Sequence, residues 1–479
     1  MRYIKIIFIL FISVFISVNS AAQDVAELLQ ILPNQEAFWS LTVLDETGSE
    51  LENFNSDKLI IPASNQKLFT LAAVLDRLGS EYRFYTNIYG NGQTTDSVYY
   101  GDLIIRGVGD PSISGFLYDE DRYFVFKNLG EQLKASGIKK IEGDLIANIG
   151  FFDNHKFPIG WDWYDMSFYY GVEVAPLSFN NNAVDLIVNA NGEVGSTPEI
   201  SWFPENTNYV EFINKQEIVV ENRKYDEDYQ KGLGLNSIYL GSKLPKGYLE
   251  KESLAITHAE SYFLDSFDTY LNLIGIETNS TFEVQHDNIS DYWVNYKMMA
   301  SHSSKSLSKL VEWANKESDN FYTEMLLKTL ASEKQGIPGT FENGIKEVRN
   351  FLAEQGVDTN LVKMNDGSGL AMGNYTTTGN ISVLLYSMKS HDEWNVFYDS
   401  FPVAGIDGSI AHRFKGTELY NNIRAKTGYV SGVRTLSGYM TTRSGKQIVF
   451  SIATNHFAGK VRPVDNSHQQ ILQYLYEKY

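Results

Sequence analysis

Leu59-Ile60-Ile61-Pro62-Ala63-Ser64-Asn65-Gln66-Lys67-Leu68, running on to Leu78-Gly79, is the stretch from which the fold is read. An apolar, extended piece stops at Pro62. From Ser64 onward Leu68, Leu71, Leu75 and Leu78 recur at helical spacing, and Gly79 supplies a C-terminal stop. Ser64 and Lys67 are three residues apart, so both side chains fall on one helical face within reach of each other. The start of the helix offers unpaired N–H groups and partial positive charge to an oxyanion. A serine hydroxyl is a weak nucleophile and needs a neighbouring base. A lysine becomes one when desolvation and nearby cations lower its pKa. Ser-x-x-Lys recurs at Ser136–Lys139 and Ser306–Lys309. Neither of those copies sits between an apolar strand and a strongly apolar helix, and both read as exposed polar residues of helices.

Two further elements have chemistry that complements Ser64. Ser318-Asp319-Asn320 lies between two helical segments. Ser318 offers a hydroxyl to relay a proton to a leaving amine, and Asn320 an amide to hold a substrate backbone. The same triplet serves equally as an N-cap for the helix that follows, and Ser178-Phe179-Asn180 shares its Ser-x-Asn pattern. Lys426-Thr427-Gly428 lies on a candidate strand. Lys426 can bind a carboxylate and depress the pKa of Lys67, Thr427 can bind the same carboxylate, and Gly428 leaves the strand edge open to substrate. A turn at a strand end is the plain alternative. The order Ser64, Ser318, Lys426 is that of the penicillin-recognising serine enzymes.

Around these motifs the chain reads as α/β (α+β). Residues 23–83 and 296–479 form two parts of one domain, and 84–295 is a β-rich insertion. Trp39–Leu44 alternates as a strand, while Ile423–Lys426, Arg434–Thr441 and Gln447–Thr454 read as consecutive strands. Strands near both ends of the chain imply one sheet built from both termini. Helices are predicted over Leu307–Trp313, Phe321–Leu330, Thr340–Gln355, Thr376–Ser387 and Gln469–Tyr476. In the insertion, strands are predicted at Phe84–Tyr89, Ser97–Ile105, Ile138–Ala147, Val184–Val188 and Glu217–Asn222. Gly101-Asp102-Leu103 recurs there as Gly143-Asp144-Leu145, each copy opening a strand.

The chain has 479 residues, too many for one ordinary domain. Its hydrophobic fraction of 43% argues against disorder, and 30 Tyr suit β-rich structure. Arg2 and Lys5, an apolar run from Ile6 to Val18, and Ser20-Ala21-Ala22 have the layout of a secretory signal over residues 1–22. An uncleaved anchor is the alternative. The mature chain is expected to be exported to the periplasm or another extracytoplasmic space, soluble, with no stable membrane span. There is no Cys, so no disulfide can form. A net charge of −19 argues against nucleic-acid binding, because the chain repels phosphate. The eight His are scattered without metal-ligand spacing, and Gly107-Val108-Gly109 lacks the further glycines of a phosphate loop, so neither metal nor cofactor is expected.

Pro62–Lys67, Gly107-Val108-Gly109-Asp110-Pro111, Gly143-Asp144-Leu145-Ile146, Tyr170–Asn180, Ser318-Asp319-Asn320, Asp366-Gly367-Ser368-Gly369-Leu370 and Ala425–Gly428 together resemble the class C low-molecular-mass penicillin-binding proteins, the D-alanyl-D-alanine carboxypeptidase/endopeptidase family. The resemblance spans nearly the whole mature chain. It implies a split transpeptidase/β-lactamase-like domain, an antiparallel sheet flanked by helices, with domains inserted between the first two motifs. It implies a Ser64 acyl-enzyme formed from peptidoglycan stem peptides and, equally, from β-lactam antibiotics. It also implies an oxyanion hole made by the N–H groups of Ser64 and Tyr429. Two departures bear on substrate choice. Tyr429 stands where the family commonly has Thr or Ser, and Ala371-Met372 where it often has Ser-Arg. Asp165, in Trp161-Asp162-Trp163-Tyr164-Asp165, is a candidate to reach the stem-peptide pocket, against an ordinary surface carboxylate. A β-lactamase, an esterase or amidase on the same fold, and a non-catalytic wall-binding protein are the competing functions. A Glu-x-x-Leu-Asn between Ser318 and Lys426, the mark of one β-lactamase class, is absent. Oligomeric state and the balance of carboxypeptidase and endopeptidase action are open.

Overall fold

The computed structural model describes residues 25–205, 207, 209–287 and 296–479. The expected signal at 1–22 lies outside them. The chain divides into two compact units. Among the described residues, one takes those up to 76, 311–318 and 348–479; the other takes those in 77–310 and 319–347. The division passes between Ser318 and Asp319, so the Ser-Asp-Asn triplet belongs to both.

The first unit is built on one antiparallel sheet. Among its elements, in chain order, are β1 (Phe38–Leu44), β2 (Glu50–Phe54), α1 (Gln66–Leu78), α2 (Thr378–Met388), β3 (Ile423–Val430), β4 (Val433–Thr441), β5 (Gln447–Asn455) and α3 (Val461–Lys478). The strand order is β2-β1-β5-β4-β3, and every pairing is antiparallel. The N-terminal strand therefore pairs with the last one, Leu41 opposite Ile452, and the sheet does draw on both ends of the chain.

Alternation along β1 sorts its side chains onto two faces. Trp39, Leu41 and Val43 join Leu436, Ile452, Ile471, Leu472 and Leu475 in one apolar core under α3. Ser40 and Thr42 face the other way, and both hydroxyls meet Thr378 Oγ1 at the start of α2, at 2.7 and 3.0 Å. Helices thus cover both faces. The piece Leu59–Ile61 does not enter the sheet as a strand; it makes a single bridge, Ile60 to Thr376.

In the second unit the repeated Gly-Asp-Leu has a structural meaning. Leu103–Arg106 and Leu145–Asn148 are parallel neighbours in register, Leu103 opposite Leu145. Val98–Tyr100 and Lys140–Glu142, just ahead of them, pair the same way in another sheet. Each expected single strand, 97–105 and 138–147, is thus broken in two at its glycine. Gly143 lies so close to Gly101 O that a side chain there would collide with it. Asp102 Oδ1 accepts the N–H of Asp144 at 2.9 Å, which locks the two copies together. Phe126, Phe179, Phe263 and Phe267 centre the core of this unit.

Candidate active site

Ser64 sits on a tight turn. Ala63–Asn65 is a short 3-10 segment, and the α-helix proper begins at Gln66. Ala63 has φ +45°, a left-handed value that costs energy for a non-glycine residue and marks a position held by its surroundings. Asn65 is fully buried behind the nucleophile. Its Nδ2 donates to Lys426 O at 2.8 Å, and its Oδ1 accepts from Ser437 Oγ at 2.7 Å. This amide ties the Ser64 turn to the Lys-Thr-Gly strand.

The sheet is prepared for that contact. Thr42, Ser451, Ser437 and Lys426 form one register row across β1, β5, β4 and β3. The next row runs Ser40, Ala453, Thr435 and Gly428, all small. Thr435 Oγ1 donates to Pro62 O at 2.9 Å, so the Ser64 turn rests on these small residues. A Cβ at Gly428 would collide with Thr435 Oγ1 and stand 3.0 Å from Ser64 N. The room left by Gly428 is therefore taken by the nucleophile turn.

Lys67 is fully buried. Its Nζ donates to Ser64 Oγ at 3.1 Å and to Ser368 O at 2.8 Å. Ser368 belongs to the Asp366–Leu370 loop. Asp366, also buried, organises that loop by accepting the N–H of Gly369 and of Ala371 at 2.8 and 2.7 Å. Thr70 Oγ1 fastens the loop to α1 through Gly367 O at 2.8 Å. Ser368 and Asn65 were not singled out from sequence. Their contributions are a backbone carbonyl and a buried amide, which carry no motif of their own, although Asp366–Leu370 is among the stretches that carry the family resemblance.

Lys426 is buried as well, and its Nζ donates to Ser318 Oγ at 2.8 Å and to Thr427 O at 3.1 Å. Burial, then the charges of Lys67 and Arg434, hold its pKa well below the ordinary lysine value. Ser318 has φ +60°, again left-handed, and Asp319 rather than Ser318 caps the helix Asn320–Gln335, accepting from Tyr322 N at 3.0 Å. The cap thus falls to Asp319, which leaves Ser318 Oγ facing Lys426. Ser64, Lys67, Ser318, Lys426, Thr427, Gly428 and Tyr429 all lie in the first unit, where Tyr429 is exposed.

Asn320 and Asp165 belong to the second unit. Asn320 Nδ2 donates to Tyr170 O at 2.9 Å. Asp165 opens the 3-10 turn Asp165–Ser167 and is half-buried; its pKa is raised, by burial first and then by Asp162, and held back by a hydrogen bond from Tyr170. Both residues thus meet at Tyr170. The decoy motifs resolve differently. Ser136 Oγ donates to Leu133 O at the end of a helix, and Ser178 Oγ donates to Ala175 O inside a core.

Residues 21–475 match the D-Ala-D-Ala carboxypeptidase 3 (S13) family. The chain belongs to this family. It is a serine-type hydrolase of the penicillin-binding class. It is 27% identical over 449 residues to the D-alanyl-D-alanine carboxypeptidase DacB of Haemophilus influenzae, covering 89% of this chain and 87% of that protein. It is 28% identical over 451 residues to the D-alanyl-D-alanine carboxypeptidase of an Actinomadura species, covering 91% and 81%. The crystal structure of penicillin binding protein 4 from H. influenzae superposes with TM-score 0.82 at 25% identity, over 95% of this chain and all of that one. These likenesses extend over both units, so the fold expectation holds for the whole described chain.

Proposed function

We propose that Ser64 is the nucleophile of a D-alanyl-D-alanine peptidase acting on peptidoglycan stem peptides, and that Lys67 is its base. The observation that carries this is the pair of lysine–hydroxyl contacts, Lys67 to Ser64 at 3.1 Å and Lys426 to Ser318 at 2.8 Å. Two buried ammonium groups repel each other, and the repulsion is relieved when one of them is neutral. A neutral Lys67 takes the proton of Ser64 as Oγ attacks the carbonyl of the penultimate D-Ala. The N–H groups of Ser64 and Tyr429 stabilise the oxyanion. The C–N bond then breaks, and Ser318 Oγ gives its proton to the leaving amine, drawing a replacement from the lysines. Water hydrolyses the ester and frees Ser64. Asn320 for the peptide backbone and Asp165 for the stem peptide complete the assignments of this reading.

β-Lactams acylate the same serine in this reading. A complex of the H. influenzae protein with a β-lactam has the same fold. Crosslinked D-Ala bonds are the second substrate class, since the chemistry at the carbonyl is unchanged. The signal-like residues 1–22 support action outside the cytoplasm, and among the described residues no helix is long and apolar enough to cross a membrane. The test is labelling with a fluorescent penicillin, followed by mapping of the modified peptide. The label is expected on the peptide containing Ser64 and is expected to vanish in Ser64→Ala; persistence of the label in that variant overturns the assignment.

A further inference from the structure

Lys426 was expected to hold the substrate carboxylate, yet its Nζ is buried and already donates to Ser318 Oγ and Thr427 O. Thr427 is itself buried, and its Oγ1 donates to Ser409 Oγ at 2.8 Å. Ser409 is the exposed member of this line. Because its oxygen accepts from Thr427, its own proton is available to an acceptor from outside.

The turn that carries Ser409 is firmly held. Ser409 lies in the 3-10 segment Gly408–Ile410, whose Ile410 is fully buried in the main core. Asp407, just before it, accepts Val403 N and Lys316 Nζ, each at 2.8 Å. Gly408 has φ +56°, and a Cβ there would stand 2.8 Å from Lys316 O, so glycine is required by both backbone angle and space. Lys316 in turn ends the helix Leu307–Lys316, two residues before Ser318. The Ser409 turn is thereby clamped to the segment that presents Ser318, and its hydroxyl is placed in advance. Lys426 is linked to this hydroxyl through Thr427, whose carbonyl accepts from Lys426 Nζ at 3.1 Å and whose Oγ1 reaches Ser409.

We infer that Ser409 contacts the substrate, donating a hydrogen bond to the α-carboxylate of the leaving D-residue beside Thr427, while buried Lys426 acts on that carboxylate through its field and through Thr427. This rests on the peptidase reading above and adds a contact to it. Neither the serial motifs nor the strand register marks Ser409, which precedes Lys426 in the chain by a full loop.

The test compares Ser409→Ala and Ser409→Thr on two substrates, an N-acylated tripeptide ending in D-Ala-D-Ala and the same tripeptide with a C-terminal amide. Loss of one hydrogen bond to a charged group predicts a fall in kcat/KM of about ten- to a hundredfold for the carboxylate substrate. The amide is expected to be nearly unaffected, and Ser409→Thr to recover most of the loss. Benzylpenicillin and its methyl ester, read as rates of Ser64 acylation, give the same comparison where the amide turns over slowly. Equal losses on carboxylate and neutral partner, or no loss on either, overturn the inference. Penicillin labelling at Ser64 distinguishes its failure from that of the peptidase reading: if the label sits on Ser64 and Ser409→Ala is silent, only the Ser409 contact falls.

Discussion

At the scale of single residues, the site is organised by what lies behind the reactive groups. Gly428 is the sharpest case. A methyl group there meets Thr435 Oγ1 and Pro62 O and comes within 3.0 Å of Ser64 N. Gly428→Ala is therefore expected to displace the nucleophile turn and slow acylation by penicillin about a hundredfold, the effect of misplacing a reacting group by roughly 1 Å. Stopped-flow labelling measures it, and a rate within a few-fold of the parent would show that the turn adapts. Sequence alone marks Gly428 as a place that must lack a side chain, but a tripeptide does not say which neighbouring backbone fills the space. Asn65 was invisible for a related reason. It sits inside Ser-x-x-Lys at an unspecified position, and only the packed sheet shows its two hydrogen bonds.

At the scale of elements, the segment Gly107–Pro111 leads into a buried polar chain. Asp110 Oδ1 accepts from Ser112 N and Oγ, and Ser112 leads through Tyr118 to His302 Nε2 at 3.2 Å. Burial pushes the Asp110 carboxyl up to about 6 and, with Lys305, draws His302 down to about 4. The two groups have opposite signs in the pH dependence of stability. Asp110, raised above its ordinary value of 3.8, binds a proton in the folded chain that the unfolded chain lacks. Its contribution is full below about pH 4 and is lost as pH rises through 6. His302, lowered from 6.5, is protonated first in the unfolded chain, so stability falls as pH drops from 6.5 toward 4. Asp110→Asn removes the first slope and leaves the second. The variant is expected to be more stable than the parent at pH 7, by as much as ~3 kcal/mol, and to lose stability more steeply between pH 6 and pH 4. Urea unfolding across that range checks it, and a difference independent of pH would refute it. The strands near this segment show the same limit on sequence reading. The Gly-Asp-Leu repeat marked both strand starts, but that its copies lie side by side in register follows from Leu103 pairing with Leu145.

At the scale of the whole molecule, the first unit depends on β1 meeting β5, strands more than 400 residues apart at Leu41 and Ile452. Both side chains are buried in one core. Leu41→Ala is expected to cost about 2–5 kcal/mol. Because Leu41 and Ile452 face each other, Leu41→Ala with Ile452→Ala should cost less than the sum of the two by more than about 0.5 kcal/mol. Chemical unfolding followed by loss of penicillin labelling measures this, and strict additivity would show that the pair shares no cavity. By itself the sequence determined the local and the serial: the apolar helix behind Ser64, the alternation of β1, β3, β4 and β5, and the order of three motifs. These are legible because helical and strand periodicity and reactive residue types are properties of short windows. The tertiary structure decided the rest: the row of small and polar residues beneath the nucleophile, the inward side of Gly428, the burial of Lys426, and the arrival of Ser409 beside Thr427. Each depends on which distant backbone lies a few ångströms away, and that is set by pairing and packing across the chain, which no window of sequence contains.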